Sequence, residues 1–175
     1  MKILGLDISS SKIGIAVLDE NKILVSEVLK FKQGESLEER AVKFERRMKE
    51  IEHYYMPYKI YVEQPALMFK GGKTTAFTMA KLQRFNGMCC YAIRKIFNQN
   101  ATLINPTSAR AKLNIKVPRG LKGNQKKTYI VEQIADKMNG QFKYNLTYKG
   151  NPQPGTDDRA DALVVALAGP LLLDR

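Results

Sequence analysis

Apolar residues alternate with polar or small ones through the first thirty positions. Lys2-Ile3-Leu4-Gly5-Leu6-Asp7-Ile8 is followed by Lys12 to Leu18 and by Lys22 to Phe31, with Ser9-Ser10-Ser11 and Asp19-Glu20-Asn21 between them. The period of two and the turn-forming breaks predict a three-stranded antiparallel meander. The period then changes. Ser36-Leu37-Glu38-Glu39 is a capping box, and Leu37, Ala41, Phe44, Met48 and Ile51 recur at helical spacing, which predicts a helix to about His53.

Further on, Lys59 to Glu63 reads as a fourth strand, Thr75 to Phe97 as a long helix and Ala101 to Asn105 as a fifth strand. Asn105-Pro106-Thr107-Ser108 has helix-start chemistry. Lys116 to Asn124 holds Pro118, Gly120 and Gly123 and predicts a loop, and Gln125 to Met138 predicts a helix stopped by Asn139-Gly140. Phe142 to Gly155 fits no single element. Thr156 can cap a last helix from Asp157 to about Ala168. This order describes an α/β fold, a mixed five-stranded sheet with helices on both faces.

A chain of 175 residues, 44 % hydrophobic, is long enough for one core, so residues 1–175 are expected to form a single domain. The only cysteines, Cys89 and Cys90, are adjacent within the long helix, which disfavours an intramolecular disulfide and fits a reducing compartment. No secretory leader is evident, and the longest apolar run, Ala162 to Leu173, is too short to span a bilayer. A soluble, cytoplasmic protein without a membrane partner is expected.

The formal charge of +12 is unevenly placed. From Gln64 to Val131 there are thirteen Lys or Arg residues and no Asp or Glu, leaving sixteen of the 29 basic residues to face all seventeen acidic ones elsewhere. A one-sided positive field attracts a polyanion, so nucleic acid is the expected partner. A merely solubilising surface would normally mix the two signs.

Four carboxylates stand out. Asp7 lies among Leu4, Leu6 and Ile8 inside a strand, where desolvating a carboxylate is costly unless a cation compensates. Glu63 ends the strand Ile60-Tyr61-Val62; a solvent-facing strand end is its structural alternative. Asp158 and Asp161 share one face at the start of the last helix, and that face continues through Val165, Ala168 and Leu172. The helix dipole accounts for Asp157 and for Asp158 but poorly for Asp161, beyond the first turn. Oxygen ligands without a histidine or thiolate cluster point to Mg²⁺ or Mn²⁺. His53, the single histidine, is expected at the surface.

Gly5-Leu6-Asp7-Ile8-Ser9, Val62-Glu63-Gln64-Pro65 and Asp158-Arg159-Ala160-Asp161-Ala162-Leu163 resemble, in order and spacing, the three acidic motifs of RuvC-type Holliday junction resolvases, most nearly their divergent phage-encoded branch. The resemblance implies a ribonuclease H-like fold, a homodimer acting on four-way junctions and other branched DNA, and two Mg²⁺ ions held by Asp7, Glu63, Asp158 and Asp161. It implies hydrolysis to 5′-phosphate ends, and a lysine at the scissile phosphate that matches Lys127, with Lys126 as competitor and Asp157 as an outer group or helix cap. An aromatic wedge near Phe69 is a further implication, although Phe69 as a packing residue is an equal reading. With Lys70 and Lys73 it forms one group of candidate DNA contacts; Arg110, Lys112, Lys116, Arg119, Lys122 and Lys126 form the other.

Three other functions compete. Leu6-Asp7-Ile8-Ser9-Ser10-Ser11 also resembles the phosphate-binding hairpin of actin-like and sugar-kinase-like nucleotide binders, a fold that normally needs a second lobe. A noncatalytic DNA-binding protein could use the basic segment alone. An RNA–DNA hybrid hydrolase would share fold and metals.

Overall fold

The computed structural model describes residues 1–65 and 76–173. Strands β1 (Lys2–Ile8), β2 (Lys12–Asp19) and β3 (Lys22–Lys30) form the antiparallel meander, and β4 (Lys59–Glu63) and β5 (Thr102–Ile104) extend it in parallel. Across the sheet the order is β3-β2-β1-β4-β5, so β1 is central, antiparallel to β2 and parallel to β4. Helices α1 (Leu37–Tyr55) and α2 (Ala76–Phe97) cover one face; α3 (Pro106–Lys112), α4 (Gly123–Lys137) and α5 (Thr156–Leu173) cover the other. No helix among the described residues is long and apolar enough to cross a membrane.

Alternation along β1 sorts its side chains between the layers. Leu4, Leu6 and Ile8 pack with Phe44 and Met48 of α1 and Phe85 and Ile93 of α2, whereas Ile3, Gly5 and Asp7 face the α5 side. The small residues on that side permit a close approach. A Cβ on Gly5 would overlap the Ala162 carbonyl and the Ala166 methyl, and one on Gly14 would overlap the Asp158 carbonyl. These glycines press the first turns of α5 onto the centre of the sheet.

Local chemistry sets the ends of α1 and the start of α3. Ser36 and Glu39 close the capping box of α1, and Met56 in the left-handed region ends that helix two residues later than expected. Asn105 accepts from the Thr107 and Ser108 amides at 2.9 and 3.1 Å, and Pro106 takes the first helical position of α3.

Three expectations change. The last helix does not stop at Ala168 but runs through Gly169-Pro170 to Leu173. Gly169 lies flat against the Tyr61 ring, where any side chain would collide, so tertiary packing overrides the local stop signal. The inward face of this helix is also no stripe: Ala160, Ala162, Leu163, Val164 and Ala166 are buried along with Val165 and Ala168, because the sheet, α3 and α4 enclose it. Residues 145–153, unassigned from sequence, form a small hairpin closed by a Leu146–Pro152 bridge. The expected start of the long helix at Thr75 lies outside the described residues.

Candidate active site

Asp7 and Glu63 reach one place through strand register. Leu6 pairs with Val62 in the parallel β1–β4 ladder, so the next step brings Asp7 and Glu63 side by side, both on the α5 face with Ile3 and Tyr61. The first two turns of α5, pressed down over Gly5 and Gly14, carry Asp157, Asp158 and Asp161 to the same strand ends. The structure thus gathers all four sequence-selected carboxylates, with Asp157 at their edge.

Burial and mutual repulsion raise the proton affinity of Asp7, Glu63, Asp158 and Asp161. Asp7 is raised well above the usual carboxylate range, first by desolvation and then by the charges of Glu63, Asp161, Asp158 and Asp157. Glu63 is pushed up to about 7 by burial and by Asp161, with Arg110 opposing. Asp161 is pushed up to about 6, again chiefly by burial, against the pull of Arg110 and Lys127. Asp158 is raised by burial despite the Lys12 ammonium beside it. Asp157 goes the other way: burial would raise it, but Lys127 holds it below the ordinary value.

Each acid of α5 has its own cation. Lys12 Nζ, from the start of β2, stands 2.5 Å from Asp158 Oδ2; Lys127 Nζ, from α4, donates to Asp157 Oδ2 at 2.5 Å; and Arg110 Nη1, from α3, lies 3.8 Å from Asp161 Oδ1. Lys12 is set by the β1–β2 turn, where the Ser9 hydroxyl donates to the Lys12 carbonyl at 2.8 Å. The buried Arg40 guanidinium braces the same turn by donating to the Ser10 carbonyl.

Among the described residues no three Asp, Glu, His or Cys side chains already stand as a closed metal-ligating group. Three of the acids are turned to Lys12, Lys127 and Arg110 instead. The donor set itself suits a hard divalent ion: every candidate ligand is a carboxylate oxygen, and Glu63 Oε2 and Asp161 Oδ1 are shielded from water without accepting a hydrogen bond.

The remaining selected residues separate. Arg110, taken from sequence as a DNA contact, sits partly buried against the carboxylates. Lys112, Lys116, Arg119, Lys122 and Lys126 are exposed on α3, on the following loop and on α4. Phe69, Lys70 and Lys73 lie outside the described residues. His53 is exposed, and burial pushes the Cys89 thiol up, which makes it a poor nucleophile. Sequence reasoning missed Lys12. Its signal was a cation at a strand start just after a serine turn, but the pairing depends on where α5 crosses β2.

No family model matches the chain, and no curated protein sequence matches it. Its fold, however, is the ribonuclease H-like arrangement seen in RuvC. RuvC of Thermus thermophilus in complex with a Holliday junction substrate superposes with a TM-score of 0.69 at 18 % identity, over 96 % of this chain and 92 % of that one. Another T. thermophilus RuvC structure gives 0.65 at 19 % identity over the same shares. The yeast mitochondrial Holliday junction resolvase Ydc2 gives 0.59 at 17 %, over 94 % of this chain and 75 % of that one.

Proposed function

We propose that this protein is a metal-dependent, structure-selective endonuclease that resolves Holliday junctions and related branched DNA by paired phosphodiester hydrolysis, acting as a homodimer in recombination and repair. The observation that carries this reading is the gathering of Asp7, Glu63, Asp158 and Asp161 from three separate elements at the carboxyl ends of the neighbouring strands β1 and β4, with Glu63 Oε2 and Asp161 Oδ1 accepting no hydrogen bond and Lys12, Arg110 and Lys127 close by.

In this reading Asp7, Glu63, Asp158 and Asp161 hold two Mg²⁺ ions, with Mn²⁺ able to substitute. Bound ions supply activation of the attacking water and neutralisation of the leaving 3′ oxygen, giving 5′-phosphate ends. The protein's own part is positional and electrostatic. β1 and β4 fix Asp7 and Glu63 on rigid, hydrogen-bonded backbone, so two of the four ligands are placed before any ion binds. The Lys127 ammonium, more than half exposed, can leave Asp157 for the non-bridging oxygens of the scissile phosphate. Arg110 lowers the local repulsion that four carboxylates create. Lys112, Lys116, Arg119, Lys122 and Lys126 hold flanking phosphates without reading sequence.

The test is the mapping of nicks on a synthetic four-way junction with Mg²⁺ and with EDTA. Paired symmetric cuts bearing 5′-phosphates, seen only with the metal, are expected. Cleavage confined to an RNA–DNA duplex, or metal-dependent ATP binding without cleavage of any DNA, would replace this reading with one of its competitors.

A further inference from the structure

The chain between α4 and α5 has a feature that the carboxylate centre does not use. From Lys137 to Thr156 it contains three lysines and no acidic residue. Within it residues 145–153 form a tightly braced hairpin: the Gln153 amide donates to the Asn145 carbonyl at 3.0 Å, and the Thr147 amide to the Asn151 carbonyl at 2.7 Å. At the tip the Gly150 amide donates to the Thr147 carbonyl at 2.9 Å, with Gly150 at φ +76°, and the Asn151 amide donates to the Thr147 hydroxyl at 3.3 Å.

This ordered tip presents an aromatic ring to solvent. Tyr148 is 92 % exposed, and the Lys149 ammonium lies 5.4 Å from its ring centroid. A ring on a hydrogen-bonded turn, with two side-chain torsions to fix, can engage a flat ligand at small entropic cost.

One side of the hairpin faces the carboxylates. Thr147 and Asn151 line a cavity of about 320 Å³ together with Lys12, Asn124, Lys127 and Asp157. Ammonium, hydroxyl and amide donors on its wall are the groups that bind a phosphodiester backbone.

We propose that this hairpin is a nucleobase-stacking arm: Tyr148 stacks on an unpaired base of the DNA strand whose backbone enters the cavity beside Lys12 and Lys127. The inference rests on the DNA-nuclease reading and extends it, by naming the surface that holds the strand next to the cleaved phosphate. A DNA branch point offers unstacked bases, and because every base has a π face the contact is independent of sequence. Lys149 adds charge at the same spot.

The experiment measures binding of a fluorescent four-way junction by anisotropy in EDTA across a salt series, with 2-aminopurine at the branch as a second probe. Tyr148→Ala is expected to weaken binding roughly five- to a hundredfold without changing the salt slope, and to abolish the 2-aminopurine signal. Tyr148→Phe keeps the ring and is expected to match wild type in both readouts. Lys149→Ala is expected to reduce the salt slope by about one. Wild-type affinity and 2-aminopurine signal in Tyr148→Ala overturn the stacking arm while leaving the nuclease reading in place. A wild-type protein that binds no DNA overturns both. Because Tyr148 is almost wholly exposed, a matching thermal melt separates loss of contact from loss of fold.

Discussion

Lys12 Nζ and Asp158 Oδ2 stand 2.5 Å apart, joining the first residue of β2 to the first turn of α5. The lysine side chain is 30 % exposed and the aspartate 10 %, so the pair is partly desolvated and neither charge is fully compensated by water. Removing the cation leaves a carboxylate among other acids. Lys12→Ala is therefore expected to destabilise the metal-free protein by roughly 1–2 kcal/mol, less than for a fully buried pair. In the double variant with Asp158→Asn most of that loss should disappear; a purely additive cycle in urea denaturation would show that the pair contributes nothing.

Asp161→Asn is expected to keep junction affinity within about twofold while cutting Mg²⁺-dependent cleavage by at least about a hundredfold, the scale on which single groups of a catalytic constellation act. The basic surface is untouched in this variant. Cleavage at the wild-type rate would remove Asp161 from the centre.

The carboxylate cluster also gives the metal-free protein a pH dependence whose sign is fixed. In the folded state Asp161 and Glu63 are pushed up to about 6 and about 7, above their values in an unfolded chain. The native state therefore binds these protons more tightly, and the associated stability is complete below about pH 4 and lost as pH rises through about 6 to 7. In EDTA the melting temperature should fall between pH 5 and pH 8. Asp161→Asn should flatten that fall, and Mg²⁺ should reverse it in the wild type. A melting temperature that rises over this range in EDTA would contradict the assignment.

Lys127→Ala should lower the single-turnover cleavage rate more than it lowers affinity, since many other cations remain to hold the backbone, and Lys127→Arg should recover part of the rate. Equal losses in rate and in salt-matched affinity would assign Lys127 to general attraction instead.

Gly14→Ala tests the seating of α5. The added methyl meets the Asp158 carbonyl, a backbone atom that cannot swing aside. A loss of about 1–3 kcal/mol is expected, with cleavage falling further than stability, because a small shift of α5 displaces Asp158 and Asp161 from Asp7. An unchanged melting temperature would show that the helix is seated more loosely than the contact indicates.

The strands and capped helices were legible because their signals are local: period-two alternation through β1 to β3, the capping box at Ser36, and Asn105-Pro106 ahead of α3. Asp7 and Asp161 could be selected because each violates a local preference, a carboxylate inside a strand and one past the first helical turn. Lys12 and the placement of Arg110 could not, since each acquires its partner only through tertiary packing of α5 against β2 and α3. The end of α5 was misjudged for a related reason. Gly169-Pro170 is a stop signal in isolation, whereas here the glycine is what the Tyr61 ring requires. The hairpin at 145–153 lacks the two-residue turn that marks most hairpins in sequence.

The candidate centre draws on β1, β4 and α5, elements that begin at residues 2, 59 and 156. During synthesis a nascent chain presents Asp7 early and Glu63 later, but neither Asp158 nor Asp161 until α5 has emerged and docked onto the sheet. No shorter stretch of polypeptide holds the whole set. On the proposed nuclease reading, a chain released from a stalled ribosome before α5 lacks two of the four candidate ligands, and DNA cutting waits until α5 has docked.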